Sequence, residues 1–187
     1  MYELGVKNII IMDSAGIFLP EDIKKILLNI KSRFKVKVGF HGHNNFGSAV
    51  WNSITACLYG AEIIDVSIRG FGAGAGNTQM DIFLTVLEKI GHKTNIRMEE
   101  IYKIAKIFPQ ILEKEKIKYS NPFSEPKNIM SANYGLFSGF ASKVDYFADK
   151  FKLDDIEAFK AIGTKKLVAG QEDLIFNILY NLKKKKN

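Results

Sequence analysis

Three short apolar runs, each followed by an amphipathic segment, dominate the first half of the chain. The runs are NIIIM at 8–12, VKVGF at 36–40 and EIIDVSI at 62–68. The first amphipathic segment begins at Pro20, the second covers about 47–59 and the third covers about 78–90. Strands that alternate with helices of this length predict a parallel sheet joined by right-handed crossovers. Because the runs are apolar on nearly every residue, we expect helices to cover both faces of the sheet.

The pattern changes after Gly91. Residues 97–118 are predicted to form one or two charged helices interrupted by Pro109, and residues 121–126 a linker-like turn. Apolar spacing then predicts helices only, over roughly 127–150, 154–162 and 171–182. We therefore expect three regions: an α/β part at 1–92, connecting helices and a linker at 93–126, and a helical C-terminal domain at 127–187.

The amino-acid composition and net charge argue against several classes of protein. The 187 residues have an apolar content of 47% and a single cysteine, Cys57, so no internal disulfide forms and a cytoplasmic location is expected. We expect no membrane segment, because no signal-peptide pattern or apolar stretch of about 20 residues is present. The net charge of +7 lies largely in small lysine groups. Basic and aromatic residues are not interleaved as in single-strand binders, so we expect no nucleic-acid partner.

Polar or glycine-rich residues cluster directly after each predicted strand. The clusters are Asp13-Ser14, His41 to Asn45, and Arg69 to Asn77. In parallel α/β architectures the site lies at the carboxyl ends of the strands. We therefore expect all three clusters to share one rim of the sheet.

Two of the three histidines, His41 and His43, form an H-x-H pair at the end of the second strand. Strand side chains alternate with a period of two, so both rings project from one face and can share an ion. A divalent metal there would also need an oxygen ligand, with positions left open for substrate. The alternative is that both rings bond neighbouring backbone, and the spacing leaves both interpretations open.

Three other positions, Ser14, Arg69 and Asn77, have two interpretations each. Ser14 can donate to a substrate oxygen, but Asp-Ser pairs also start turns and cap helices. Arg69 can bind a carboxylate or pair on the surface. Asn77 can cap the next helix or turn its amide oxygen toward an ion. Trp51 and Phe46 are expected in the core.

The loop GFGAGAGN at residues 70–77 follows a strand and precedes a helix. It lacks the G-x-G-x-x-G spacing, the acidic residue expected about 20 positions on, and the Gly-Lys-Ser/Thr of a phosphate-binding loop. We therefore expect it to allow close backbone approach to a ligand or a neighbouring strand.

Together, DSAG, HGHNN, GFGAGAGN and the late AGQEDLI resemble the HMG-CoA-lyase-like (DRE-TIM) metallolyase superfamily, most closely the 4-hydroxy-2-oxovalerate aldolase family. The resemblance runs from about residue 1 to 180 and is strongest over 8–91. It implies an α/β fold: the last three βα units of a (β/α)₈ TIM barrel, followed by a helical C-terminal domain of the communication type. It also implies metal-dependent aldol cleavage of a 4-hydroxy-2-oxo acid to pyruvate and an aldehyde, in aromatic hydrocarbon catabolism.

The same resemblance assigns residue roles. It implies that His41 and His43 hold a divalent cation, Mn²⁺ before Mg²⁺ or Co²⁺, with Asn77 as a further candidate ligand. It implies that Ser14 seats the pyruvate moiety. The active-site Tyr of the family aligns with Phe137, which has no hydroxyl. The family's metal-binding Asp, its Arg and its catalytic His correspond to positions upstream of Met1, so we expect the chain in isolation to be inactive.

The resemblance also implies partners. These are a small 2-oxo acid as substrate and an acylating acetaldehyde dehydrogenase docked on the helical domain. An unpaired first strand predicts association, either as an oligomer or with a missing N-terminal half. Two alternatives stay open. One is a Claisen-type condensing enzyme or acyl-CoA lyase of the same superfamily, against which AGQEDLI and the helical domain argue; the other is a non-catalytic docking piece.

Overall fold

The computed structural model describes residues 5–117 and 126–185. Within those ranges the chain forms a small parallel sheet and a series of helices. In chain order the elements are β1 (Asn8–Asp13), α1 (Pro20–Arg33), β2 (Lys37–Gly42), α2 (Ala49–Leu58), β3 (Ile63–Asp65), α3 (Met80–Lys89), α4 (Met98–Lys114), α5 (Pro126–Asn133), α6 (Ala141–Phe151), α7 (Asp155–Gly163) and α8 (Asp173–Lys184). Two single-turn 3₁₀ helices lie at Ile68–Gly70 and Ser138–Phe140.

The sheet has the order β1-β2-β3, and both pairs of strands are parallel, as the alternating pattern predicts. The prediction of a third strand over 62–68 is wrong in length, because β3 ends at Asp65. A 3₁₀ turn follows at Ile68–Gly70, and Arg69 has φ of 54°, a left-handed conformation that no strand accommodates. Ser67 therefore makes only an isolated bridge to Gln79.

Only one face of the sheet is covered by helices in the described part of the chain. Side chains of Val38 and Phe40 are fully buried in a core formed with α1 and α2. The opposite face carries Ile10 and Met12, which are 37% and 58% exposed. The expectation of helices on both faces is therefore wrong, since apolar residues on both sides of a strand do not identify what covers each side. We call the side of Ile10, Met12 and His41 the inner face.

Two helix predictions need correction. Pro109 lies inside the continuous helix α4 and does not interrupt it. Because Pro109 is exposed, water can bond the carbonyl that loses its partner four residues earlier. The single helix predicted over 127–150 is two helices, α5 and α6, separated by Gly135 at φ of 67° and by the 3₁₀ turn. The predicted linker at 121–126 falls outside the described residues, except that Pro126 begins α5.

Helices α5 to α8 enclose one core, which contains the fully buried Phe140, Phe159 and Leu179. Trp51 and Phe46, by contrast, are not core residues as expected, because they are 59% and 43% exposed. The buried positions of α2 face the sheet and α3, and Trp51 lies on the other side of that helix. No helix in the described ranges is long and apolar enough to cross a membrane.

Candidate metal centre

His41 and His43 converge at the carboxyl end of β2. Their Nε2 atoms are 3.4 Å apart, and the rings meet edge to face with centroids 5.1 Å apart. His41 lies in a register row with Met12 of β1 and Asp65 of β3, on the inner face. His43 follows the strand and is 7% exposed. The spacing of two residues thus brings both rings to one side of the sheet end.

A side chain contacts the Nδ1 atom of each ring. Nδ1 of His41 is 3.2 Å from Oδ2 of Asp65, and Nδ1 of His43 is 3.0 Å from Oγ of Ser138. An ionised carboxylate only accepts hydrogen bonds, so the tautomer of His41 that suits Asp65 carries its proton on Nδ1 and its lone pair on Nε2. Such outer partners fix the orientation of ligating imidazoles in metal sites.

Burial of His43 has an electrostatic consequence. Burial lowers the pKa of His43 because it disfavours the charged ring, and neighbouring His41 lowers it further. A backbone hydrogen bond to Ala73 acts in the opposite direction but is the smallest of the three effects. The ring therefore stays neutral to lower pH than a free imidazole, and a neutral ring is the form that binds metal.

Asn77 lies opposite His43 across a local antiparallel bridge. The flanking hydrogen bonds, from Asn44 N to Gly76 O at 2.8 Å and from Thr78 N to Gly42 O at 3.0 Å, make this a non-hydrogen-bonded pair. Side chains of such pairs approach closely on one face. Sequence reasoning could identify Asn77 but not this bridge, which depends on the loop returning beside β2.

The amide oxygen of Asn77 is free to act as a ligand. Its Oδ1 is buried without a hydrogen-bond partner in the described structure, whereas Nδ2 donates to Phe71 O at 3.4 Å. The capping alternative is not observed, because α3 begins after Gln79 and has no side-chain cap. A buried amide oxygen without a partner is costly unless something else satisfies it.

The glycine-rich loop closes against the ends of the strands. Gly76 has φ of 87°, and a side chain there would collide with the carbonyl oxygen of Gly70. Asn45, which is fully buried, accepts from Ala75 N and donates to Ala15 O, both at 3.0 Å. The loop thus permits close backbone approach, as predicted.

The Asp13-Ser14 pair divides between two roles. The Asp13 carboxylate accepts from the backbone N–H groups of Ile17 and Phe18, both at 3.0 Å, so this residue organises the turn. Burial raises the pKa of Asp13, and the same backbone hydrogen bonds oppose the rise. Ser14 is half-buried at the same strand end, and its carbonyl accepts from Ser138 N at 3.0 Å.

Two further predicted residues have defined neighbours. Nη1 of Arg69 lies 3.8 Å from the carboxylate of Asp81, whose side chain is only 13% exposed, which fits the pairing alternative at a partly buried position. Phe137 places its ring edge toward His43, with centroids 6.4 Å apart. An apolar ring therefore borders the histidine pair from the helical side.

Sequence reasoning assigned no role to two residues of this site. Asp65 lies inside the predicted third strand, and its pairing with His41 follows from parallel register once the strands are aligned. Ser138 is 95 residues from His43 along the chain, and nothing in either local pattern indicates that they meet.

The described residues provide some, but not all, of the donor atoms that a divalent-cation site needs. In the described ranges, no group of three His, Cys, Asp or Glu side chains could hold a metal. Two imidazole bonds of about 2.0–2.1 Å nevertheless span the 3.4 Å between the Nε2 atoms. The buried Asn77 oxygen is a donor of a type that divalent cations accept.

Comparison with known proteins gives a consistent assignment. The family model described as HMGL-like matches residues 1–108, and the DmpG-like communication domain matches residues 122–184. The 4-hydroxy-2-oxovalerate aldolase of Pectobacterium atrosepticum is 41% identical over 185 residues, which cover 99% of this chain and 52% of that protein. The chain spans about half the length of the curated relatives it matches.

Solved structures agree on the fold. The HMG-CoA lyase of Bacillus subtilis is 28% identical with a TM-score of 0.54, over 62% of this chain and 40% of that one. The carboxyl transferase domain of Rhizobium etli pyruvate carboxylase, with 3-hydroxypyruvate, has a TM-score of 0.81 at 13% identity. That match covers 99% of this chain and 32% of that one. The second likeness shows the fold alone: an α/β arrangement similar to barrel-type domains.

Proposed function

We propose, from the premise that this chain belongs to the HMGL-like family, that it forms the C-terminal part of a metal-dependent aldolase. The reaction is cleavage of a 4-hydroxy-2-oxo acid to pyruvate and an aldehyde. The relatives named 4-hydroxy-2-oxovalerate aldolase support this choice over a condensing enzyme or an acyl-CoA lyase. The observation that carries the proposal is the convergence of two imidazole Nε2 atoms at 3.4 Å, where the strands end.

His41, His43 and Asn77 are the proposed cation-holding residues, with Mn²⁺ preferred and Mg²⁺ or Co²⁺ as alternatives. A bound divalent cation supplies Lewis-acid polarisation of a keto oxygen. Ser14, at the end of the neighbouring strand, is proposed to seat the pyruvate moiety. Phe137 borders the site with an apolar ring that excludes water and has no proton to donate.

The family matches, over residues 1–108 and 122–184, support a proposed division into an α/β part and a helical part, with the bounds expected from the sequence. Residues 1–92 supply the last three βα units of a barrel, 93–126 connect, and 127–187 form a helical communication domain. Such a domain would dock an acylating acetaldehyde dehydrogenase, the partner that the communication-type match suggests. The edge strand β1 and the exposed inner face support association with a further copy or with other barrel strands.

The test of the cation site is a Mn²⁺ titration of the 187-residue chain followed by electron paramagnetic resonance. His41→Ala and His43→Ala each remove one nitrogen ligand and should weaken binding by about tenfold or more, since even outer-partner changes cost that much. His92→Ala is the matched control, because His92 is exposed in the loop after α3. Equal affinity in His41→Ala and His92→Ala would exclude His41 from the site.

The activity itself needs a separate assay. Pyruvate release from 4-hydroxy-2-oxopentanoate is followed by coupling to lactate dehydrogenase. We expect no turnover by this chain in isolation, because the base and Arg expected for the reaction correspond to positions outside it. Metal-dependent turnover by the purified chain would contradict that expectation and would place a base among the residues described above.

A further inference from the structure

We propose that Ser138 is a positioning residue whose hydroxyl holds the His43 ring both before and after a cation binds. The inference deepens the proposed function and depends on it for the cation. Ser138 is 1% exposed, and its Oγ lies 3.0 Å from Nδ1 of His43. It belongs to the segment matched by the communication domain, whereas His43 belongs to the HMGL-like segment.

The core of the helical part fixes the position of this hydroxyl. Ser138 opens the 3₁₀ turn that leads into α6, and Phe140 in the same turn is fully buried in that core. The backbone N–H of Ser138 also donates to the carbonyl of Ser14 at 3.0 Å. One residue therefore contacts the ends of both β1 and β2, and little freedom remains for its side chain.

The two histidines differ in what their outer partners permit. Asp65 can only accept, so it fixes the His41 proton on Nδ1 and leaves the Nε2 lone pair directed at His43. Without a cation, an Nε2–H group of His43 can donate to that lone pair across 3.4 Å or to the backbone carbonyl of Ala73. Its Nδ1 is then an acceptor for the O–H group of Ser138.

A cation held by both Nε2 atoms would require the other tautomer of His43. The His43 proton would then lie on Nδ1 instead of Nε2, with no change in the number of protons. Nδ1 then donates to Ser138, whose hydroxyl rotates to accept. A carboxylate or an ammonium group at this position could serve only one tautomer, whereas a hydroxyl serves both.

The experiment uses the 187-residue chain with ¹⁵N-labelled histidine and Zn²⁺ as a diamagnetic probe. In the wild-type chain, the ring ¹⁵N shifts should show His43 protonated on Nε2 without Zn²⁺ and on Nδ1 with it. Ser138→Ala should mix the two tautomers of His43 in the metal-free chain and weaken Zn²⁺ binding by roughly 10- to 100-fold. The His41 signals should keep the Nδ1–H tautomer, because Asp65 is unchanged.

Ser131→Ala is the matched control. Ser131 is a fully buried serine of α5 in the same helical part, and its hydroxyl has no hydrogen-bond partner in the described residues. It should leave Zn²⁺ affinity and the His43 spectrum unchanged. Wild-type behaviour of Ser138→Ala in both measurements would overturn the proposal.

Two outcomes separate this inference from the proposed function. If the wild-type chain binds no Zn²⁺, the cation site fails, but tautomer mixing in metal-free Ser138→Ala still decides the role of Ser138. If Ser138→Ala does not fold, the wild-type spectra decide: one unchanged His43 tautomer with and without bound Zn²⁺ contradicts the proposal, and the predicted exchange supports it.

Discussion

The helical part and the sheet part of this chain bury their apolar residues to different degrees. Helices α5 to α8 enclose one continuous core, in which Phe159, Ile175 and Leu179 have no exposed surface. The sheet part has two smaller clusters, one between the sheet and α1–α2 and one between α2, α3 and α4. Its inner face leaves Ile10 and Met12 exposed.

The part of the chain with the more complete core is not the part that carries the candidate metal centre. Burial of apolar area is the main source of folding free energy, at about 25 cal/mol per Å². Because its core is continuous, the helical part gains more of this stabilisation from contacts among its own residues. The candidate metal centre lies on the less complete part, at the edge of the open face. Ser138 and Phe137 bring the helical part into contact with His43 of that centre.

The largest expected effect is on the helical core. Phe159→Ala should lower the free energy of unfolding by about 3–5 kcal/mol, because it removes a fully buried ring and leaves a cavity. Urea denaturation followed by far-ultraviolet circular dichroism measures the change. Phe46→Ala in the sheet part is the matched control: Phe46 is 43% exposed, and its loss should cost about 1 kcal/mol or less. Equal costs would contradict the contrast between the two parts.

An intermediate effect is expected in the glycine-rich loop. Gly76→Ala should destabilise the sheet part by several kcal/mol, because the new Cβ would collide with the Gly70 carbonyl and φ is 87°. Gly91→Ala has a similar φ of 94° but nothing within 4 Å, so only the conformational cost of about 1 kcal/mol remains. Fluorescence of Trp51, the only tryptophan, reports unfolding of the sheet part. Similar costs for both variants would show that close packing of this loop is unimportant.

The sequence predicts the parts of the fold that depend on local pattern. The parallel strand order, the start of α1 at Pro20 and the meeting of His41 with His43 all follow from periodicity and turn residues. The length of β3 does not, because the left-handed turn at Arg69 is occupied by a residue that seldom adopts it. The exposure of the inner face could not be predicted either, because an apolar strand has the same sequence pattern whatever covers its faces.

The partners of the histidine rings mark the limit of sequence reasoning. Asp65 could be paired with His41 by anyone who placed the strands in parallel register, because both then occupy one row. Ser138 could not, since its contact depends on how the helical part packs against two strand ends. Long-range contacts of this kind depend on the tertiary packing of both parts, and no local spacing encodes them.

The smallest expected effect concerns Cys57 of α2, the only cysteine and therefore a probe of the sheet part alone. Burial raises the pKa of this thiol above its ordinary value of 9.0. As pH rises past that value, the unfolded thiol ionises before the folded one, so the sheet part loses stability until the pH exceeds the folded pKa. Cys57→Ala should remove this pH dependence, which urea titrations by Trp51 fluorescence between pH 8 and 10 would detect.

Alkylation of the same cysteine can show which of the two parts is less stable. Alkylation of a half-buried thiol proceeds through local opening, so its rate under native conditions reports how often the sheet part opens. Because the helical core is the more complete, Cys57 should react in urea well below the concentration at which helical circular dichroism is lost. If labelling and loss of helix coincide at every urea concentration, the two parts unfold as one unit, and the separation between a stable helical part and a less stable sheet part is wrong.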